Sequence, residues 1–358
     1  MIKKIRIRNF KCYGPRGADF NLGRVNFIYG DNSVGKSSFL QFLEMLVDNI
    51  DHNERYSREV FSKYLFRGAA TRENPGFITA LIRVVSENTV APVESVLRFG
   101  PVQGTEGTGS YALTADNAQT INQEFWDEVL PKGGGVERIK RVAALRVWGG
   151  DAVVPSGKSS GSALEQGSFA NLVDMENEKG AVEYLNGIFS RLGIHYSCVR
   201  DDKGHVVPGK IHDDDFNIDV DMCDVGTGIA GLVRLAFDLH NWKGGILALE
   251  EPETNVNEMQ LAALTHVLVE EALKRSHGVL VVECHSKLMV QKLAVLVKKG
   301  VISSCVDDVG LKVMEVVKEA SGSVVRPVPI GADGTIEWPG DFFPAEGGIL
   351  RSMYGVGT

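Results

Sequence analysis

Residues 28–40 read IYGDNSVGKSSFL, in which Gly30, Gly35, Lys36 and Ser37 stand at the spacing G-x-x-x-x-G-K-S without a gap. Such a loop works only between a strand and a helix, because its inward-turned N–H groups and the helix N-terminus together make a phosphate cradle. The flanks meet that demand. RVNFIYG, before the loop, is an apolar, β-branched and aromatic run of strand type. KSSFLQFLEMLV, after it, sets Phe39, Leu40, Phe42, Leu43 and Leu46 at helical spacing. The pattern predicts an α/β P-loop fold in which Gly30, Asp31, Asn32, Ser33, Val34, Gly35, Lys36, Ser37 and Ser38 surround a nucleotide's phosphates. Lys36 would reach the β- and γ-phosphates, and the Ser37 hydroxyl suits Mg2+.

The second set of motifs lies far downstream. From Gly245 the chain reads GILALEEPETN, a buried-strand run that ends in the adjacent acids Glu250 and Glu251. Two acids there divide two tasks: Glu250 holds Mg2+, and Glu251 orients and deprotonates the attacking water. Upstream, DVGTGIAGLVRLAFDLHNW sets Gly226, Thr227 and Gly228 at the start of an apolar helical run. A helix start carries unpaired N–H groups and about half a positive charge, which suits a phosphate. The first loop already fills that role, so this turn makes most sense serving the nucleotide held by another copy. Downstream, HGVLVVECHSKLM gives a further buried-strand run, with His285 just past its end, where open α/β sheets place their ligands. His285 is placed to sense the γ-phosphate.

With 358 residues, 44% hydrophobic and 23% charged, the chain has an ordinary globular composition and enough length for a large core. No apolar run reaches the roughly 18 residues of a membrane span, and the opening MIKKIRIRNFKCYG alternates like a strand, so a cytosolic protein with no membrane partner is expected. The five cysteines, Cys12, Cys198, Cys223, Cys284 and Cys305, are scattered and form no C-x-x-C pair, which fits reduced thiols. A net charge of −8 does not indicate DNA binding, and the basic runs KKIRIR and RIKR are short enough to be solvated faces. Of two polar glycine-rich stretches, 104–120 reads as a surface hairpin loop or a flexible insertion and 155–168 as a long loop. No heptads join the two sets of motifs, so the insert between them is expected to be a compact lobe and not a coiled-coil arm. The acidic run HDDDFNIDVDMCD, 212–224, offers metal-type ligands, but its alternation favours a solvated edge strand.

In order and content these motifs resemble the ABC-type ATPase heads of the SMC/RecF/OLD class. The opening 5–43 is similar to their N-terminal lobe, DVGTGIAGL to their signature motif, LALEEPETNVN to Walker B with the D-loop, and VVECHS to the H-loop strand. ALRVWGG and the tail GADGTIEWPGDFF are similar to short stand-alone OLD-like ATPases of bacteria, several of which are paired with an effector in antiphage defence. The resemblance implies one ATPase head with a mixed-sheet N-terminal lobe (1–100), an inserted helical and signature lobe (101–243), and a Walker B and H-loop lobe with the tail (244–358). It implies ATP and Mg2+ as cofactors, with Lys36 on phosphate, Ser37 and Glu250 on Mg2+, Glu251 as base and His285 as switch. Gly226, Thr227 and Gly228 would contact a partner's nucleotide. It further implies a homodimer or higher assembly closed by ATP, acting on a separate nuclease or toxin. A RecF-like DNA-binding repair ATPase is the alternative. Glu283 and Cys284 stand ahead of His285 where the class usually has a threonine before the histidine. Gln166 is the candidate Q-loop residue. Only about 70 residues follow His285, too few for the nuclease domain of full OLD proteins.

Overall fold

The structure is a computed structural model and describes residues 2–52, 56–57, 61, 63–66, 78–84, 93–101, 110–115, 139–142, 180–204, 206–213, 217–220, 225–303 and 310–339. Gln166, the 155–168 stretch, ALRVWGG and the Phe342–Phe343 part of the tail lie outside these residues. Three sheets organise the described chain. The first is antiparallel and contains β1 (Ile2–Arg8), β2 (Ala18–Asn21), β4 (Tyr56–Ser57), β5 (Ile78–Val84), β6 (Val93–Pro101) and β7 (Ser110–Ala115), in the order β2-β1-β5-β6-β7-β4. The second is the central sheet, ordered β15-β14-β3-β13-β12-β8. Its strands are β3 (Val25–Tyr29), β8 (Ile139–Val142), β12 (Gly245–Glu250), β13 (Gly278–Cys284), β14 (Leu311–Glu319) and β15 (Gly322–Pro327). From β14 to β8 its pairings are parallel, and only β15 runs antiparallel to β14. The third sheet is small, β11-β10-β9, formed by β9 (Tyr196–Arg200), β10 (Val206–Asp213) and β11 (Ile218–Val220).

The central strands are covered on both faces, which is why they read as near-continuous apolar runs. Their side chains nevertheless sort by parity. Ile28, Ile246, Ala248, Val279 and Val281 face a core shared with the first sheet and with α1 (Lys36–His52). Phe27, Leu247, Leu249, Leu280 and Val282 face the opposite core, packed with α2 (Ala181–Arg191), α3 (Thr227–Asn241), α4 (Glu258–Lys274) and α5 (Lys287–Lys298). Asn26 is the polar exception within β3. Its amide nitrogen donates to the Gly23 and Leu280 carbonyls at 2.9 Å each, and its oxygen accepts from Gly23 N–H at 2.8 Å, so its burial leaves nothing unpaired.

Two strands lie outside the motif-bearing runs. ADFN is too short to announce itself by alternation, yet it pairs with β1, and Asp19 takes Arg6 and Lys4 from the neighbouring strand as ionic partners. Within 104–120, Ser110–Ala115 pairs antiparallel with β6, in keeping with a surface hairpin there and not with a flexible insertion. Of the acidic run, Ile218–Val220 forms β11, outermost in its sheet and exposed at Ile218, and His212 Nδ1 on β10 stands 3.0 Å from Asp219 Oδ1. Segment 101–243 is shared between layers, with β7 in the first sheet and β8 at the edge of the central one.

A polar hub holds the helical layer together. Glu271, 1% exposed on α4, accepts from the Tyr184 hydroxyl of α2 at 2.7 Å and from Lys274 and Arg275 at 2.6 and 3.0 Å. Arg275 in turn lies over the Trp242 ring at 4.8 Å and donates to the Leu239 carbonyl at the end of α3. Tyr184→Phe keeps the ring and deletes one bond to a buried carboxylate; a loss of about 1–2 kcal/mol is expected, read from denaturant midpoints. A second local contribution starts α4: the Asn257 side chain accepts from Gln260 N–H at 2.9 Å as an N-cap. Asn257→Ala is expected to cost about 1 kcal/mol, read as a lower melting temperature.

Candidate nucleotide site

The loop between β3 and α1 adopts the backbone that its glycines forecast. Gly35 sits at φ 119°, and a Cβ there would meet the Cys12 sulfur at 2.2 Å, so glycine is required twice over, by conformation and by space. Two braces come from distant segments: the Tyr13 hydroxyl donates to the Gly35 carbonyl at 2.6 Å, and the Ser323 hydroxyl to the Val34 carbonyl at 2.5 Å. The preformed loop is therefore held on both sides. Lys36, 3% exposed, folds over it and donates to the carbonyls of Gly30 and Asp31 at 2.9 and 2.8 Å. Burial lowers the Lys36 pKa, opposed by the acids around it.

The sheet order brings the second set of motifs to this loop. β13 lies between β3 and β12, with Ile28, Glu283 and Glu250 in register across the three strands. Glu283 is therefore the strand-end acid nearer the loop, and the Ser37 hydroxyl donates to its Oε1 at 2.7 Å. Its Oε2 is buried without a hydrogen-bond partner. Burial, aided by repulsion from Glu250 and Glu251, pushes the Glu283 carboxyl up to about 7, against the pull of Ser37 and Lys36.

Past β12 the chain turns sharply. Glu251 has φ 42° and Asn255 φ 62°, left-handed conformations that a non-glycine residue holds only at a cost of about 1–3 kcal/mol. The turn aims the Glu251 carboxylate at His285, whose Nε2 lies 3.1 Å from Oε1, while His285 Nδ1 lies 3.5 Å from Lys36 Nζ. Burial and then Lys36 lower the His285 pKa, opposed by its contact with Glu251. Glu253 accepts from the His285 backbone N–H at 2.5 Å and so locks the start of the segment after β13 onto the turn after β12.

Asn32, Ser33, Gly35, Lys36, Ser37, Ser38, Glu251 and His285 line one cleft of about 1170 Å³, whose outer wall adds Lys11, Phe66 and the turn joining β14 to β15. Gly30, Asp31 and Val34 contribute backbone behind it. Glu250 lies one strand further out, and Gly226, Thr227 and Gly228 are not among the lining residues. Gly226 and Thr227 are exposed at the start of α3, while Gly228 is pressed against the Asn255 carbonyl. Glu283, Glu253, Tyr13 and Ser323 have no role in the motif reading. The only sequence signal for any of them is an acid at position 283 inside an otherwise apolar strand.

The residues present fit ATP and Mg2+: a backbone cradle closed by a buried lysine, a hydroxyl beside a buried carboxylate, and an unpartnered carboxylate oxygen whose repulsion a divalent cation would relieve.

Residues 1–103 match a family model described as an AAA ATPase domain. No curated protein matches the sequence. Among solved structures the chain is similar to an SMC head domain from Thermotoga maritima, at 15% identity and TM-score 0.50 over 91% of this chain and 98% of that one. It is similar to an Smc head bound to the C-winged helix domain of ScpA, at 12% identity and TM-score 0.56 over 92% and 98%. A third likeness is to the Smc head with an extended coiled coil bound to the C-terminal domain of ScpA from Pyrococcus furiosus, at 12% identity and TM-score 0.54 over 99% of each chain. The chain has a mixed α/β P-loop NTPase fold resembling the heads of SMC and ABC-type ATPases. No described helix is long and apolar enough to cross a membrane.

Proposed function

We propose that this chain is an ATP-hydrolysing head that pairs with a second copy around ATP and, through opening and closing, regulates a separate effector such as a nuclease or toxin in bacterial antiphage defence. The carrying observation is the Glu251–His285 pair, set beside Lys36 across the mouth of the phosphate loop. Lys36 exchanges the carbonyls of Gly30 and Asp31 for phosphate oxygens when nucleotide enters. Glu251 accepts the proton of the attacking water, and His285, held by Glu253 through its backbone, keeps that carboxylate aimed. Mg2+, when bound, neutralises charge on the β- and γ-phosphates, and Ser37 with the strand-end acids Glu283 and Glu250 would hold it.

Pairing follows from what the cleft leaves unused. Gly226 and Thr227 are exposed at the N-terminus of α3 and do not line the chain's own cleft, which supports a role toward another copy's nucleotide. A composite site of this kind couples assembly to ligand, since neither copy alone offers both halves. The ScpA-bound Smc heads illustrate a head of this shape carrying a partner protein, which supports an effector docked on this one. The alternative, a RecF-like repair ATPase closing on DNA, has the net charge of −8 against it. The decisive experiment is the solution mass of the Glu251→Gln variant with and without ATP and Mg2+. A doubled mass supports the composite site, and a mass indifferent to nucleotide overturns it.

A further inference from the structure

We propose that Glu251, Glu283 and His285 form a divalent-cation site that exists before nucleotide arrives, with a donor set suited to a first-row transition ion such as Zn2+ or Mn2+ ahead of Mg2+. The site lies inside the proposed nucleotide cleft but does not depend on the identity of the nucleotide. One carboxylate oxygen from each glutamate and one ring nitrogen of His285 all lie within 4.8 Å of one another. Metal bonds of about 2.0–2.2 Å put tetrahedral ligand atoms roughly 3.4 Å apart, so side-chain adjustments of about 1 Å gather the three around one ion.

Independent of this clustering, the Glu283 side chain is 3% exposed, and its Oε2 is buried with no hydrogen-bond partner. A carboxylate oxygen left that way in a protein interior is costly unless something positive meets it. Lys36 serves only in part: its ammonium pairs with Glu283 Oε1 at 4.0 Å, and it also donates to the Gly30 and Asp31 carbonyls. A cation bound by Glu283 Oε2, Glu251 and His285 would complete the balance while Glu283 Oε1 keeps its bond from Ser37.

The donor set decides the ion. Mg2+ demands six oxygen ligands in near-octahedral order and keeps much of its water, whereas two carboxylates with an imidazole suit Zn2+ and Mn2+. Such an ion would occupy the carboxylate and imidazole that hydrolysis needs, so the loaded, nucleotide-free chain would rest in a blocked state.

The test uses the full chain, stripped of metal by a chelator, free of nucleotide, and titrated with Mn2+ while the free ion is followed by electron paramagnetic resonance. One Mn2+ per chain is expected, with nitrogen modulation in its spin-echo signal from His285. Glu283→Gln, which preserves shape and an acceptor for Ser37, should weaken Mn2+ at least about tenfold; His285→Gln should do the same and abolish the nitrogen modulation. A melting curve and an ATP-binding measurement on each variant verify the fold and the cleft. Mn2+ affinity unchanged in Glu283→Gln overturns the proposal, as does the absence of nitrogen modulation in the unsubstituted chain. Mn2+ that binds only together with nucleotide overturns it while leaving the nucleotide reading intact. Mn2+ binding without any ATP binding leaves this proposal standing and removes the other.

Discussion

Glu251→Gln is expected to lower the ATP hydrolysis rate by about 10²- to 10⁴-fold, the usual contribution of a positioned general base, while ATP binding stays near its original strength. The asymmetry follows from where the contacts are made. Phosphate affinity resides in the loop and Lys36, whereas proton acceptance needs a carboxylate at the Glu251 position. Glutamine retains the size and one oxygen of the side chain and can either accept from or donate to the His285 ring nitrogen at the 3.1 Å contact, so the neighbouring turn is not disturbed. With binding preserved and hydrolysis blocked, ATP and Mg2+ should hold the assembly closed, and its mass in solution should rise and stay raised. The same variant also tests the choice of base. Glu283 and Glu253 are close by, and their carboxyls are raised above the usual range chiefly by burial. If Glu251→Gln still hydrolyses within tenfold of the unsubstituted chain, one of them is the base and the assignment to Glu251 fails.

Motifs that are local in sequence were legible because their geometry is local too. Gly30 to Ser38 fold between a strand and a helix that their own flanks encode, and the adjacent acids follow a strand that their own apolar run encodes. Glu283 was opaque for the opposite reason. Its importance comes from the order β3-β13-β12, which places the histidine-bearing strand between the other two, and that order is a property of parallel crossovers that no window of residues displays. Tyr13 and Ser323 brace the loop from segments 22 and 289 positions away, where a hydroxyl in the sequence looks like any other. The missed strand ADFN is a matter of length: four residues carry too little alternation to separate a strand from a turn, and the ionic contacts of Asp19 across to β1 appear only once the two are paired.

Gly228→Ala is expected to uncouple the exposed start of α3 from the catalytic turn. A Cβ at Gly228 would stand 1.9 Å from the Asn255 carbonyl oxygen and 2.8 Å from its carbon. Both are backbone atoms, so no rotamer change relieves the contact, and one segment must retreat by more than about 1 Å in an interior packed at crystal density. Overpacking of that kind costs about 1–3 kcal/mol, a fall of several degrees in melting temperature. The functional loss should be larger than the stability loss. Asn255 lies four positions after Glu251 in the left-handed turn that aims the carboxylate, and a misplacement of about 1 Å can reduce a rate some 10²-fold. Gly226→Ala separates the two effects. Its Cβ would meet nothing within 4 Å among the described residues, and the residue's φ of −61° suits alanine, so the isolated chain should lose no more than about 1 kcal/mol, the cost of a poorer N-cap. Any loss of ATP-driven assembly in Gly226→Ala then comes from the second copy's nucleotide meeting a filled helix end. If Gly228→Ala melts and hydrolyses like the unsubstituted chain, α3 and the turn after β12 are not mechanically joined, and the route from nucleotide to partner must run elsewhere.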